Sequence, residues 1–215
     1  MTLSGAQLLA ALDDATSEVD QVVDMLRRAG EADPAALTLG EGDRRLVHLV
    51  EQVTGSSIEL TADCPACGET NEIALATATL PEHRPQSRWL GVGQGVRAPT
   101  YGDLDRLPAD PGEAILVLGA RCALGAVEPA AAAAALQDID GSLVGPIGIA
   151  CVECGAPVEV EADVQHLALR LLRRHTEGVE YEVHLLASRY GWDLATIEAL
   201  PEERRRRLAR LIGGL

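Results

Sequence analysis

The sequence predicts an α+β fold: two cysteine-tipped β-hairpins brought together, with a helical insertion between them and helical regions at both ends. Three observations lead there. Apolar residues recur at helical spacing near the amino terminus and again through residues 163–215. Short segments of strand character flank each of two Cys-x-x-Cys-Gly turns. Between those turns, two Pro-initiated stretches read as helices, one of them a run of alanines. The organisation that follows is an amphipathic helix over residues 1–30, a body over 31–162 whose helical insertion covers about 100–140, and a helical region over 163–215.

Ser4 can cap a first helix over residues 4–29, with Gly30 as its stop. Leu8, Leu12, Ala15, Val19, Val22 and Leu26 draw one apolar seam along it. The seam is expected to pack on the body of the same chain; the alternative is a docking surface for a partner helix. Residues 31–34 read as a hinge, and a second helix runs over 43–55 with Leu46, Leu49, Val50 and Val53 on its buried face. Strands at 58–62 and 72–76 enclose the first cysteine turn.

Residues 81–99, rich in Pro, Gly and Arg, are expected to be irregular or extended. Within them Gly91-Val-Gly93-Gln-Gly95 lacks the strand–loop–helix setting of a dinucleotide site and reads as a flexible loop. Helices follow at 110–124, with Asp110 as cap and Pro111 in the first position, and at 129–139. Residues 141–148 break the pattern before the second cysteine turn. Asp163 starts a helix carrying Val164, Leu167, Ala168, Leu171 and Leu172 on one face. A further helix bears Val179, Val183, Leu186, Ala187 and Tyr190, and Gly191 ends it. Asp193 caps a short helix, and Pro201 opens the last one. There Glu202 and Glu203 precede Arg204, Arg205, Arg206, Arg207 and Arg210, the charge order a helix dipole favours.

Composition narrows the function classes. The formal net charge is −15, which argues against a dedicated nucleic-acid binder, because phosphate contacts need a basic surface. All 18 cations are arginine, and the core must be aliphatic, with three Tyr, two Trp and no Phe. With no basic leader and no long apolar run, the chain reads as soluble, unexported and cytoplasmic, with no membrane partner. Five cysteines in such a chain suit a reducing compartment, where paired thiols hold metal.

The pairs are Cys64-Pro-Ala-Cys67-Gly68 and Cys151-Val-Glu-Cys154-Gly155. Two intervening residues let both thiolates of one tight turn face the same ion, and the following glycine permits a positive φ. Two such knuckles complete the closed tetrahedral geometry of one structural zinc ion, giving a zinc-ribbon-like hairpin pair. Loop-closure entropy does not forbid this: it amounts to roughly 4 kcal/mol for a loop on the order of eighty residues. Structural zinc supplies about 10–16 kcal/mol. Rival readings are a redox pair, bound iron or a vacated site; the redox pair lacks its βαβ setting. Four thiolates leave no open position, so the metal holds structure and activates no water. Cys122 reads as a small buried hydrophobe. His48, His83, His166, His175 and His184 show no ligand spacing, and no nucleophile or acid–base motif appears, so the chain reads as non-enzymatic.

The ordered motifs carry a resemblance. Leu39-Gly-Glu-Gly-Asp-Arg-Arg-Leu46 precedes the first knuckle; Arg97-Ala-Pro-Thr100, Asp103-Leu104 and Ala120-Arg121-Cys122 follow it, and then comes the second knuckle. His184-Leu-Leu-Ala-Ser-Arg-Tyr-Gly-Trp192, Ile197, Leu200-Pro201 and Arg204-Arg205 close the series. Over residues 39–212 this resembles the baseplate hub assembly chaperone family of T-even-type phages, with relatives in contractile phage tails and extracellular contractile injection systems. The second knuckle departs from the pattern with Val152 in place of proline, and Arg207 stands where the pattern has tyrosine. The resemblance implies a non-enzymatic role in baseplate or hub assembly of a phage-tail-like machine, as chaperone or particle component. Its partners would be baseplate, hub or other tail proteins. Tyr190, Trp192, Arg204 and Arg205 are the candidate partner contacts. The arginine run is expected to be a solvated helix face paired internally, Glu202 with Arg206 and Glu203 with Arg207, and an acidic partner surface is its functional alternative. The alternative reading is a zinc-ribbon module of a transcription or RNA-processing assembly. Such ribbons usually show basic and aromatic faces, whereas Asp63, Glu69, Glu72, Glu153, Glu159 and Glu161 surround these knuckles.

Overall fold

The computed structural model describes residues 8, 11–12, 17–80, 86–139 and 141–213. It is an α+β fold built from helices and short antiparallel hairpins. Helix α1 (Glu18–Arg28) begins where Ser17, in extended backbone, accepts the Asp20 N–H. This corrects the single helix expected over 4–29: Ser17 offers the backbone a side-chain partner and starts a new helix. Ser4 and Ala15 lie outside the described residues. The seam packs inward, with Leu8, Leu12, Val22 and Leu26 buried in the same core as Leu46 and Leu172.

Helix α2 (Leu39–Thr54) starts earlier than the expected 43, because Thr38 and Glu41 form a reciprocal capping box. Gly55 ends it at φ +73. Strands β1 (Ile58–Asp63) and β2 (Thr70–Leu75) pair in strict register from Ile58 with Leu75 to Asp63 with Thr70. Strands β3 (Ser87–Gly91) and β4 (Gln94–Arg97) form a second hairpin. Gly91 to Gln94 is thus the turn of that hairpin, not a flexible loop, with Gly93 at φ +70. Helix α3 (Pro111–Cys122) keeps the Asp110 cap, and the segment expected to extend it to 124 forms β5 (Ala123–Leu124) against β4. Helix α4 (Pro129–Ile139) follows.

Strand β6 (Val144–Ala150) pairs with β7 (Pro157–Asp163) along its whole length, so residues 144–148 do not break structure. A two-stranded hairpin leaves one ladder edge of each strand unpaired, which is where a residue such as Pro146 is tolerated. Helix α5 (Val164–Tyr190) is one element of 27 residues where two helices were expected. Gly178 lies within it, and a lone glycine costs only about 1 kcal/mol in a helix. Gly191 ends it at φ +67, α6 (Leu194–Glu198) follows the Asp193 cap, and α7 (Glu202–Gly213) packs back on α5.

The largest core lies among α1, α2, α5 and the first hairpin. A second joins β4, α3 and α4, and a third, small one surrounds the cysteines. Two polar junctions tie these layers. Asp43, fully buried, accepts from Tyr101 Oη, Leu143 N and Gln165 Nε2. Asp103 receives both Arg97 Nη atoms at 2.6 and 2.8 Å and the Thr100 N–H and hydroxyl at 2.8 Å. Arg121 donates to the Asp103 carbonyl. A Cβ at Gly42 would meet the Tyr101 ring, and one at Gly40 would meet Gly141 backbone. Gly40, Gly42 and Asp43 belong to the Leu39–Leu46 motif, Arg97 and Thr100 to Arg97–Thr100, Asp103 to Asp103-Leu104, and Arg121 to Ala120–Cys122.

Candidate metal centre

The two hairpins present their tips to each other. In the first, the Cys64 N–H donates to the Glu69 carbonyl at 2.8 Å and the Gly68 N–H to the Cys64 carbonyl at 2.8 Å. In the second, the Cys151 N–H donates to Ala156 at 2.8 Å and the Gly155 N–H to Cys151 at 2.9 Å. Gly68 and Gly155 sit at φ +77 and +71, which a Cβ would strain. The knuckles are therefore matching copies of one local structure, dictated by the same short motif.

Cys64 Sγ lies 3.6 Å from Cys154 Sγ, and Cys67 Sγ lies 3.7 Å from Cys151 Sγ. All four sulfurs fall within 4.8 Å of one another, and all are free thiols. A tetrahedral zinc–thiolate centre has bonds of about 2.3 Å, which by geometry sets its sulfurs about 3.8 Å apart. The donor set and the spacing fit one metal ion; zinc and iron both take four thiolates this way. Cys64 and Cys151 are buried and Cys67 and Cys154 exposed, so the centre is rooted in packing yet open at its rim.

Backbone dipoles prepare the site for anionic sulfur. The Cys154 N–H, against some desolvation and with help from the Glu153 N–H and the Cys64 and Cys67 thiols, pulls Cys151 down to about 6. At Cys67 a hydrogen bond from the Glu69 N–H favours the thiolate, but Cys154, desolvation and the other two cysteines outweigh it and push the group up to about 12. Crowded sulfurs share protons when no cation balances them, and a bound dication reverses that preference.

The chain matches no family model, no curated protein and no solved structure. The local chemistry must therefore speak for itself. The four predicted ligands, Cys64, Cys67, Cys151 and Cys154, are brought together as a group. Cys122 is buried far from them in the α3 core, its thiol 3.9 Å from Asp103.

The closing block lies elsewhere. Tyr190 and Trp192 stack across Gly191 with centroids 4.9 Å apart, anchoring the turn between α5 and α6. Arg204 is exposed, while Arg205 turns inward onto Glu182 at 2.9 Å with its side chain 11% exposed. Arg206 pairs with Glu202 and Glu182.

One residue of the centre escaped the sequence reading. Asn71, 1% exposed, accepts the Val152 N–H through Oδ1 at 2.9 Å. Its Nδ2 donates to the Glu69 and Ala62 carbonyls at 3.0 and 3.4 Å. Strand β2 begins at Thr70 and not at the expected 72, so Asn71 lies within it, a position its type disfavours. Among the described residues, no helix is long and apolar enough to cross a membrane.

Proposed function

We propose that the bound ion is zinc and that this chain is a zinc-stabilised, non-enzymatic protein acting in baseplate or hub assembly of a phage-tail-like contractile injection system. The observation that carries the reading is the ordered series of family-like blocks from Leu39 to Arg205, interleaved with a four-thiolate centre. The blocks fall at buried junctions: Gly42 under Tyr101, Asp43 at the meeting of four segments, Asp103 between Arg97 and Thr100. That supports treating the series as the signature of a shared fold and not as a chance of composition. Four thiolates saturate a tetrahedral ion, so its work is structural. The helical surfaces, including exposed Arg204 and the Tyr190–Trp192 turn, would meet baseplate, hub or other tail proteins. The protein would act in the cytoplasm as a chaperone or enter the particle as a component.

The test is mass spectrometry of what co-purifies with the tagged chain from its native host while any tail-like locus is expressed. Baseplate, hub or spike proteins are the expected partners, and purified particles analysed in parallel separate component from chaperone. Recovery of polymerase subunits or ribonucleoprotein would replace this reading with the transcription or RNA-processing one.

A further inference from the structure

The two knuckles match in backbone but differ at one atom. Residue 65, next to the first cysteine, is proline and carries no N–H; its counterpart in the second knuckle is Val152, which does. The Cys151 N–H donates to Ala156 and the Gly155 N–H to Cys151, as Cys64 and Gly68 do at the matching places of the first knuckle. The Val152 N–H is the extra donor, and Asn71 Oδ1 of the opposite hairpin takes it. The position matching Asn71 in the second hairpin is Val158, 1% exposed and apolar. The pseudo-symmetry is thus broken at two places that answer each other: a donor added on one hairpin and a buried acceptor added on the other.

We infer that Asn71 is a positioning residue that holds the second knuckle in metal-ready geometry through the Val152 N–H, in place of the proline that stiffens the first. The amide works in both directions. Nδ2 is fixed by the Glu69 and Ala62 carbonyls of its own hairpin, so Oδ1 has one orientation, toward Val152. The clasp links the two hairpins without an ion. Cys151 and Cys154 therefore meet an arriving cation already facing Cys64 and Cys67. Groups that orient metal ligands from behind typically change affinity by about 10–100-fold when removed.

The inference rests on the metal reading, and the experiment separates the two. Full-length, reduced, metal-free protein is titrated with Co2+, followed by Zn2+ competition, using the cobalt–thiolate absorption as readout. Asn71→Leu should weaken Zn2+ binding about tenfold or more, with unchanged far-UV circular dichroism. In a Val152→Pro background, where no donor is left to orphan, the same substitution should cost much less. Wild-type affinity in Asn71→Leu, or an equal loss in both backgrounds, overturns the inference. Should Asn71→Leu fail to fold, amide exchange of Val152 in metal-free wild-type protein decides. Slowed exchange supports the clasp, and exchange at the unprotected rate overturns it. Wild-type protein that takes up neither Co2+ nor Zn2+ overturns the metal reading, and the exchange measurement then judges the clasp alone.

Discussion

Tyr101 donates its hydroxyl proton to Asp43 Oδ1 at 2.6 Å, and both side chains are buried. The carboxylate also holds Leu143 N at 2.7 Å and Gln165 Nε2 at 3.0 Å, so one group joins α2, the Tyr101 turn, the entry to β6 and α5. Burial, with the Asp43 charge beside it, drives the Tyr101 phenol far above its ordinary range, so it remains a donor at any working pH. Removing that donor leaves a buried carboxylate short of a partner, which costs about 1–3 kcal/mol. Tyr101→Phe should lower the unfolding free energy by that amount, read as a lower urea midpoint with an unchanged denaturant slope. Asp43→Ala should cost more, because three donors lose their acceptor together.

Gly42 tests the same junction sterically. The Tyr101 ring occupies the space a Cβ would need, and the ring cannot retreat without giving up Asp43. Intrinsic helix propensity would favour Gly42→Ala by about 1 kcal/mol, whereas overpacking a tight core costs about 1–3 kcal/mol. Net destabilisation is expected in a thermal melt. A rise in melting temperature would mean that the ring is free to move.

The parts of this fold that were legible in the sequence are those decided by neighbours in the chain. Cys64-Pro-Ala-Cys67-Gly68 and its counterpart specify a tight turn and two converging sulfurs within a few residues, and both knuckles form as read. Asp110 with Pro111, Asp163 and Asp193 announce helix starts by the same local logic. The illegible parts depend on partners distant in sequence. Gly93 punctuates a hairpin only because β3 finds β4, and β6 runs through Gly145, Pro146 and Gly148 because β7 supplies a complete ladder. The two helices expected over residues 163–190 are one, because the packing of α5 carries the helix through Gly178. Asp43 and Asn71 looked like ordinary polar residues, since nothing near them in sequence names Tyr101 or Val152 as their partners.

The Asp103 carboxyl predicts acid sensitivity with a definite sign. Desolvation opposes its ionisation, but Arg97 and the Thr100 N–H and hydroxyl prevail and lower it from 3.8 to about 2. A depressed carboxylate contributes stability that is complete above its unfolded value and is lost as pH falls through the folded one. The loss should therefore fall between about pH 4 and pH 2 and amount to roughly 2 kcal/mol at most. Asp103→Asn should destabilise the protein at neutral pH and flatten this part of the stability–pH curve. Chemical denaturation across that range, with wild type and variant side by side, measures both effects. Parallel curves would show that Asp103 is not the titrating group.

Metal removal should act locally before it acts globally. The sulfurs pack with Val158 in a small cluster of their own, separate from the core that α1, α2 and α5 build around Leu46 and Leu172. Zinc bound by four thiolates supplies about 10–16 kcal/mol of apparent binding energy in small peptides, comparable to the whole net stability of about 5–15 kcal/mol of a typical domain. Chelation, or Cys154→Ser, should thus loosen the two cysteine turns and lower stability while the helical core keeps most of its far-UV signal. Hydrogen exchange should show protection reduced at the knuckle amides of Cys64, Gly68, Cys151 and Gly155, and largely retained at Val152, in the core-packed hairpin ends around Ile58 and Leu75, in α2 and in the first half of α5. Cys122→Ser serves as the control, since Cys122 belongs to the α3–α4 core and should leave the metal in place. Elemental analysis gives the complementary reading: about one ion per chain in wild type and in Cys122→Ser, and little in Cys154→Ser. Full metal content and an unchanged melting temperature in Cys154→Ser would sink the four-cysteine centre, because three thiolates and a hydroxyl cannot hold the ion equally well.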